Sequence, residues 1–199
     1  MNEEVKAFLR KQARDRFLRY IRIDTQSDPD SKMHPSSEGQ WVLARALKEE
    51  LIELDLDDIE LDAHCYVYAT LPASKGFVGP AITFCAHLDT SPALSGAHVT
   101  PVIIENYDGE DILQSGAEKV LLTTDQSPEL LNFIGETLII SDGRTLLGAD
   151  DKAGIAEIMA ALHAFKTFSD LPHPELRIVF TPDEEIGAGT DFIQMKRMG

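Results

Sequence analysis

Residues 80–86, Pro-Ala-Ile-Thr-Phe-Cys-Ala, constrain the fold more than any other stretch of the chain. The run is almost wholly apolar and does not alternate. A strand with one face in water alternates, whereas a short unbroken apolar run fits a strand buried on both faces of a sheet covered by helices. Leu176-Arg177-Ile178-Val179-Phe180-Thr181 predicts a second buried strand of this kind.

Helical spacing supplies the covering layer. Val5, Phe8, Leu9, Phe17, Leu18 and Ile21 predict an amphipathic first helix ending before Asp24. Residues 27–37 hold two prolines and many small polar side chains, and form a loop. Ser37 with Gln40 has the pattern of a capping box opening a second helix, with Trp41, Ala44, Leu47, Leu51 and Leu54 on one face. Residues 56–61 and 64–71 predict a strand pair. Ile155, Ile158, Met159, Leu162 and Phe165 mark a third helix after Asp150, and the segment after Gly187 is expected to be helical up to Gly199. Residues 91–136 form an excursion with short strand candidates at 102–105 and 119–122, followed by a strand at 137–141 that turns at Asp142-Gly143. Strands alternating with long helices predict an α/β fold with a mainly parallel mixed sheet flanked by helices.

Composition narrows the function. Acids outnumber bases 34 to 18, a net charge of −16. Such a surface disfavours nucleic acid and anionic membranes and favours cation binding. Cys65 and Cys85 lie in strand-like apolar runs without metal-ligand spacing, and both are expected to fill the core. With no disulfide framework, signal peptide or membrane span in view, the cytoplasm is the expected compartment.

In sheets of this type ligands gather at the carboxyl ends of strands. Three clusters fall there: His87-Leu88-Asp89, Asp150-Asp151 and Asp183-Glu184-Glu185. Acids at a helix start are ordinary, because the exposed N–H groups attract negative charge. The company of the other two clusters gives Asp150 and Asp151 a second meaning. His87 and Asp89, two apart on an extended chain, point to one side, as in a metal-bound imidazole steadied by a carboxylate. Glu184 and Glu185 diverge, so one can bind metal while the other moves protons. Imidazole and carboxylates without thiolate suit Zn²⁺, Mn²⁺ or Co²⁺. The reaction class is peptide or amide hydrolysis.

Taken together these stretches resemble the dizinc exopeptidase family that includes peptidase T, aminoacylase and carboxypeptidase G type enzymes. The resemblance is carried by Asp24-Thr25-Gln26-Ser27, Ser37-Glu38-Gly39-Gln40-Trp41, His87-Leu88-Asp89-Thr90-Ser91-Pro92, Glu105-Asn106-Tyr107, residues 145–154 and residues 180–187. It implies a tripeptide aminopeptidase with two Zn²⁺ ions per complete active site. His87 would bind the first metal, Asp150 would bridge both, and Glu185 would bind the second. Glu184 would be the general base acting on a metal-bridged water, and Asp89 would orient His87. A cis peptide is implied between Asp150 and Asp151. The family's other two ligands, an aspartate and a histidine, have no counterpart here, because His34, His64, His98, His163 and His173 sit in no matching motif. Residues 1–199 are thus expected to be the N-terminal portion of the catalytic domain, inactive alone. The rest of that domain and a smaller domain forming a homodimer would lie outside it. Two alternatives stand beside this: a related dimetal dipeptidase or deacylase, and a non-catalytic peptide-binding fragment.

Overall fold

The computed structural model describes residues 2–114 and 120–198. Helix α1 (Glu3–Tyr20) is capped by Asn2, whose Oδ1 accepts the Val5 N–H at 2.8 Å. Helix α2 spans Glu38–Glu53 and α3 spans Ala149–Thr167. The main sheet holds β1 (Asp57–Leu61), β2 (Val67–Leu71), β3 (Ile82–His87) and, late in the chain, β8 (Leu176–Thr181). Their spatial order is β1-β2-β8-β3. The excursion contributes two small antiparallel pairs, β4 (Pro101–Ile104) with β7 (Leu138–Ser141), and β5 (Ile112–Gln114) with β6 (Val120–Leu122). Of the strand expected at 119–122, Lys119 lies outside the described residues.

The sheet is mixed, with one difference from the sequence expectation. Only β3 and β8 run parallel; β1–β2 and β2–β8 are antiparallel. The reason is local. Cys65, at φ +69, belongs to a tight turn that folds β2 back on β1 as a hairpin, and the hairpin then docks on β8. Within the main sheet, parallel pairing belongs to β3 and β8, whose ends carry His87-Asp89 and Asp183-Glu185.

Period-2 alternation assigns the two faces. Val67, Ala69 and Leu71 of β2, with Leu176, Ile178 and Phe180 of β8, pack against Phe17 and Tyr20 of α1, Leu43, Leu47 and Leu51 of α2, and Ile155, Met159 and Leu162 of α3. Tyr66, Tyr68 and Val179 point to the opposite face, where Ile193 and Met198 cover them. That cover is irregular rather than helical: beyond Gly187, among the described residues, only a single 3₁₀ turn, Met195–Arg197, forms. The tyrosines explain this. The Phe192 and Gln194 N–H groups donate to the hydroxyls of Tyr66 and Tyr68 at 3.3 and 2.9 Å, and so do not serve a helix.

Three further expectations are corrected. Strand β3 is an edge among the described strands, so Ile82, Phe84 and Cys85 are exposed instead of buried on both faces. Cys85 is therefore no core residue, whereas Cys65 is fully buried. Ser37 makes no side-chain cap bond to α2; Gln40 instead turns into the protein toward Asp183. Among the described residues no helix is long and apolar enough to cross a membrane.

The chain after α1 and the start of α2 are locked by a backbone approach. A Cβ on Gly39 would lie 1.6 Å from the carbonyl oxygen of Asp24. Backbone cannot yield as a flexible side chain can, so Gly39→Ala should lower unfolding stability by about 1–3 kcal/mol or more. A denaturant midpoint unchanged from the parent chain would contradict this contact.

Candidate metal centre

Parallel pairing of β3 with β8 brings two strand ends to the same edge. The ladder runs to His87 opposite Thr181, and the Leu88 N–H donates to Thr181 O at 2.8 Å. The segments that follow, 87–89 and 183–185, therefore emerge side by side.

His87 is buried, with 8% of its surface exposed. Its Nδ1 lies 3.0 Å from the carbonyl oxygen of Asp89, which can only accept, so Nδ1 carries the proton. Nε2 then faces Asp150 Oδ1 at 2.9 Å. Protonated, Nε2 donates to that carboxylate; neutral, it offers a lone pair to a cation between them. Burial disfavours the imidazolium, but hydrogen bonds to Asp89 and Asp150 and the charges of Asp89 and Asp151 outweigh it and raise the pKa to about 9.

Asp89 is wholly buried, and its carboxylate contacts His87 Nδ1 more loosely, at 3.4 Å. Its tighter bonds go elsewhere. Oδ1 accepts the Glu184 N–H at 2.9 Å and Oδ2 accepts the Glu185 N–H at 3.0 Å. One carboxylate thus ties the end of β3 to the turn after β8. Glu185 projects from a 3₁₀ turn, Glu184–Ile186, and its burial raises its pKa despite the opposing pull of His87. Glu184 has a side chain 60% exposed, with Oε2 4.0 Å from His87 Nε2.

Asp150 comes from the start of α3, where Asp150 and Asp151 depart from helical geometry. The peptide between them is cis. Gly148 precedes them at φ +76, and a Cβ there would meet Thr90 Cγ2 at 3.1 Å. Left-handed backbone and lack of a side chain let this loop lie against the strand end that carries His87. Behind it Lys152, 1% exposed, donates to Ile23 O at 2.7 Å. Burial lowers its pKa to about 8, with Asp24 opposing. Asp151 turns toward β3, where Oδ2 meets the His87 N–H at 3.4 Å; burial raises its pKa, with His87 opposing.

The outcome is one cluster. A ligand atom from each of His87, Asp150 and Glu185 lies within 4.8 Å of the others, and among the described residues no other group of three His, Cys, Asp or Glu side chains does so. One imidazole and two carboxylates form a donor set suited to Zn²⁺ or a similar borderline divalent ion. Four of the other five histidines are engaged elsewhere, His163 with Arg16 and Gln12, His173 with Pro174 and Phe165, and His34 and His64 around Phe192, while His98 is exposed in the excursion away from the cluster. Residue pattern alone assigned no ligand or base role to Lys152, Asp151 or Asp183. Their positions inside the acidic motifs were the only signal, and it does not distinguish a ligand from a support.

No family model matches the chain. Curated relatives do. A peptidase T of Clostridium novyi is 48% identical over 183 residues, which cover 92% of this chain and 45% of that protein. A peptidase T of Shewanella woodyi is 51% identical over 184 residues, covering 92% and 44%. Among solved structures, the aminopeptidase PepT of Bacillus cereus superposes with a TM-score of 0.63 at 23% identity, covering 94% of this chain and 40% of that one. A tripeptidase of Staphylococcus aureus gives 0.64 at 23%, covering 95% and 41%. These structures share the fold. The chain spans a little under half the length of the curated relatives it matches. By sequence, over nine-tenths of its length, it is a relative of peptidase T.

Proposed function

We propose that this chain supplies the metal-binding and proton-transfer groups of a metal-dependent aminopeptidase that releases the N-terminal residue of tripeptides. The observation that supports it most is the convergence of His87, Asp150 and Glu185 within 4.8 Å, from three segments far apart in sequence. His87, Asp150 and Glu185 would hold the metal, with Asp150 between two ions. Zn²⁺ is the proposed ion, with Mn²⁺ or Co²⁺ as alternatives. When bound, such ions polarise the scissile carbonyl and lower the pKa of water toward ~7.

The chain's own groups would do the rest. Glu184 takes the proton of the attacking water and delivers it to the departing amine as the C–N bond breaks. Its side chain is exposed to solvent and its Oε2 lies 4.0 Å from His87 Nε2, which supports that role. Asp89 holds the backbone of Glu184 and Glu185 and, through its own carbonyl, fixes which nitrogen of His87 faces the ligands.

Residues 1–199 form the first portion of the catalytic domain, and the remaining ligands and a smaller dimerisation domain correspond to sequence its relatives have outside the match. The cytoplasm is the proposed compartment. A related dimetal dipeptidase or deacylase would share these metal groups and differ in the residues that face the substrate.

Three outcomes test the proposal. Asp150→Ala should abolish Zn²⁺ binding by calorimetry, and undiminished binding would reject its place between the ions. Glu184→Gln, placed in a full-length peptidase T carrying this segment, should keep metal while kcat falls by about 10²–10⁴. Metal retained with normal turnover would remove Glu184 from proton transfer. The 199-residue chain alone, given Zn²⁺ and a tripeptide, should show little or no release of the N-terminal residue; brisk turnover would mean that it already holds a complete ligand set.

A further inference from the structure

Asp183 stands next to the two glutamates yet takes no part in the ligand cluster. It is 1% exposed, and its backbone is left-handed at φ +54, a conformation that costs energy for any residue with a Cβ. Its carboxylate points away from Glu184 and Glu185, toward the loop before α2. There Oδ2 accepts the Ser36 N–H at 2.7 Å and faces His34 Nδ1 at 3.3 Å. Oδ1 accepts the Gln40 Nε2–H at 2.7 Å and the Ser36 hydroxyl. Gln40, itself fully buried, returns the contact: its Oε1 accepts the Asp183 N–H at 3.0 Å. A buried carboxylate is costly unless its lone pairs are filled, and here the set of donors fills them.

The turn is thus gripped from two sides. Asp89 holds the N–H groups of Glu184 and Glu185, and the network of Ser36, Gln40 and His34 holds Asp183. We propose that Asp183, through Ser36 and Gln40, is a positioning residue that fixes the orientation in which the turn presents Glu184 and Glu185. This rests on the reading of those two glutamates as base and ligand. Asp183 touches neither metal nor substrate. It acts by making the direction of the chain after Thr181 depend on a loop that lies almost 150 positions earlier in sequence.

The test uses the 199-residue chain, amide hydrogen exchange by NMR, and Zn²⁺ as the probe. Asp183→Asn puts a donor where the carboxylate accepted from donors. Exchange at the Glu184 and Glu185 amides should rise about tenfold or more while Ile178 and Val179 in β8 stay protected. Zn²⁺ affinity should fall by about tenfold. Combining Asp183→Asn with Gln40→Glu reverses donor and acceptor across the pair, and should restore both readouts to within about threefold of the parent. Unchanged exchange and affinity in folded Asp183→Asn would overturn the proposal. So would exchange rising equally through all of β8, which marks a general loss of stability. If Asp183→Asn does not fold, Ser36→Ala decides: it removes one donor and should give a smaller rise confined to the same two amides, and no rise or a uniform one overturns the proposal. Should the parent chain bind no Zn²⁺, the metal-centre reading falls, while the exchange data still decide the role of Asp183.

Discussion

The bond pair between the Asp89 carboxylate and the N–H groups of Glu184 and Glu185 is the constraint on which the site depends. Two charge-assisted hydrogen bonds to a fully buried carboxylate hold more firmly than the same bonds in water. They join the end of β3 to the turn after β8, and so hold His87 against the glutamates. Parallel pairing of the two strands makes this reach possible, because only parallel neighbours end at the same edge. Where the rest of the sheet is antiparallel, it serves to support this pair from the side.

Asp150 reaches the cluster by a different route. It lies at the start of a long helix that packs on α1 and on β3. Gly148 gives the preceding loop its left-handed turn, and Lys152 anchors the first turn of α3 to Ile23 behind it. A buried ammonium with a carbonyl partner is a strong tether, since losing that partner would leave a charge in an apolar setting. The helix start is therefore fixed from behind, while the Asp150 side chain, 85% exposed, stays accessible in front.

Much of this was legible from residue patterns. The apolar run of β8, the stripe of α3 and the pairing of β1 with β2 followed from spacing, because burial against a helix layer imposes strict periodicity. Two of the three clusters were legible because the ends of neighbouring parallel strands converge; the Asp150-Asp151 cluster, expected at a strand end, instead comes from the start of α3. Three things were not. The strand direction of β2 depends on a turn at Cys65 and on docking to β8, and neither leaves a mark in the hydrophobic pattern. The irregular cover after Gly187 was hidden because the hydroxyls of Tyr66 and Tyr68, more than 120 residues away in sequence, take the N–H groups a helix would need. Gln40 fitted a capping box by local pattern, and a buried carboxylate on a distant turn outcompeted the cap. In the last two cases a long-range polar bond decided what a local rule could not.

Anomalous diffraction at the zinc edge, on crystals of this chain grown with Zn²⁺, tests the central claim most directly. The account predicts a peak within coordination distance of His87 Nε2 and carboxylate oxygens of Asp150 and Glu185. A peak coordinated by other residues, or none at these three when the ion is present in excess, would contradict it.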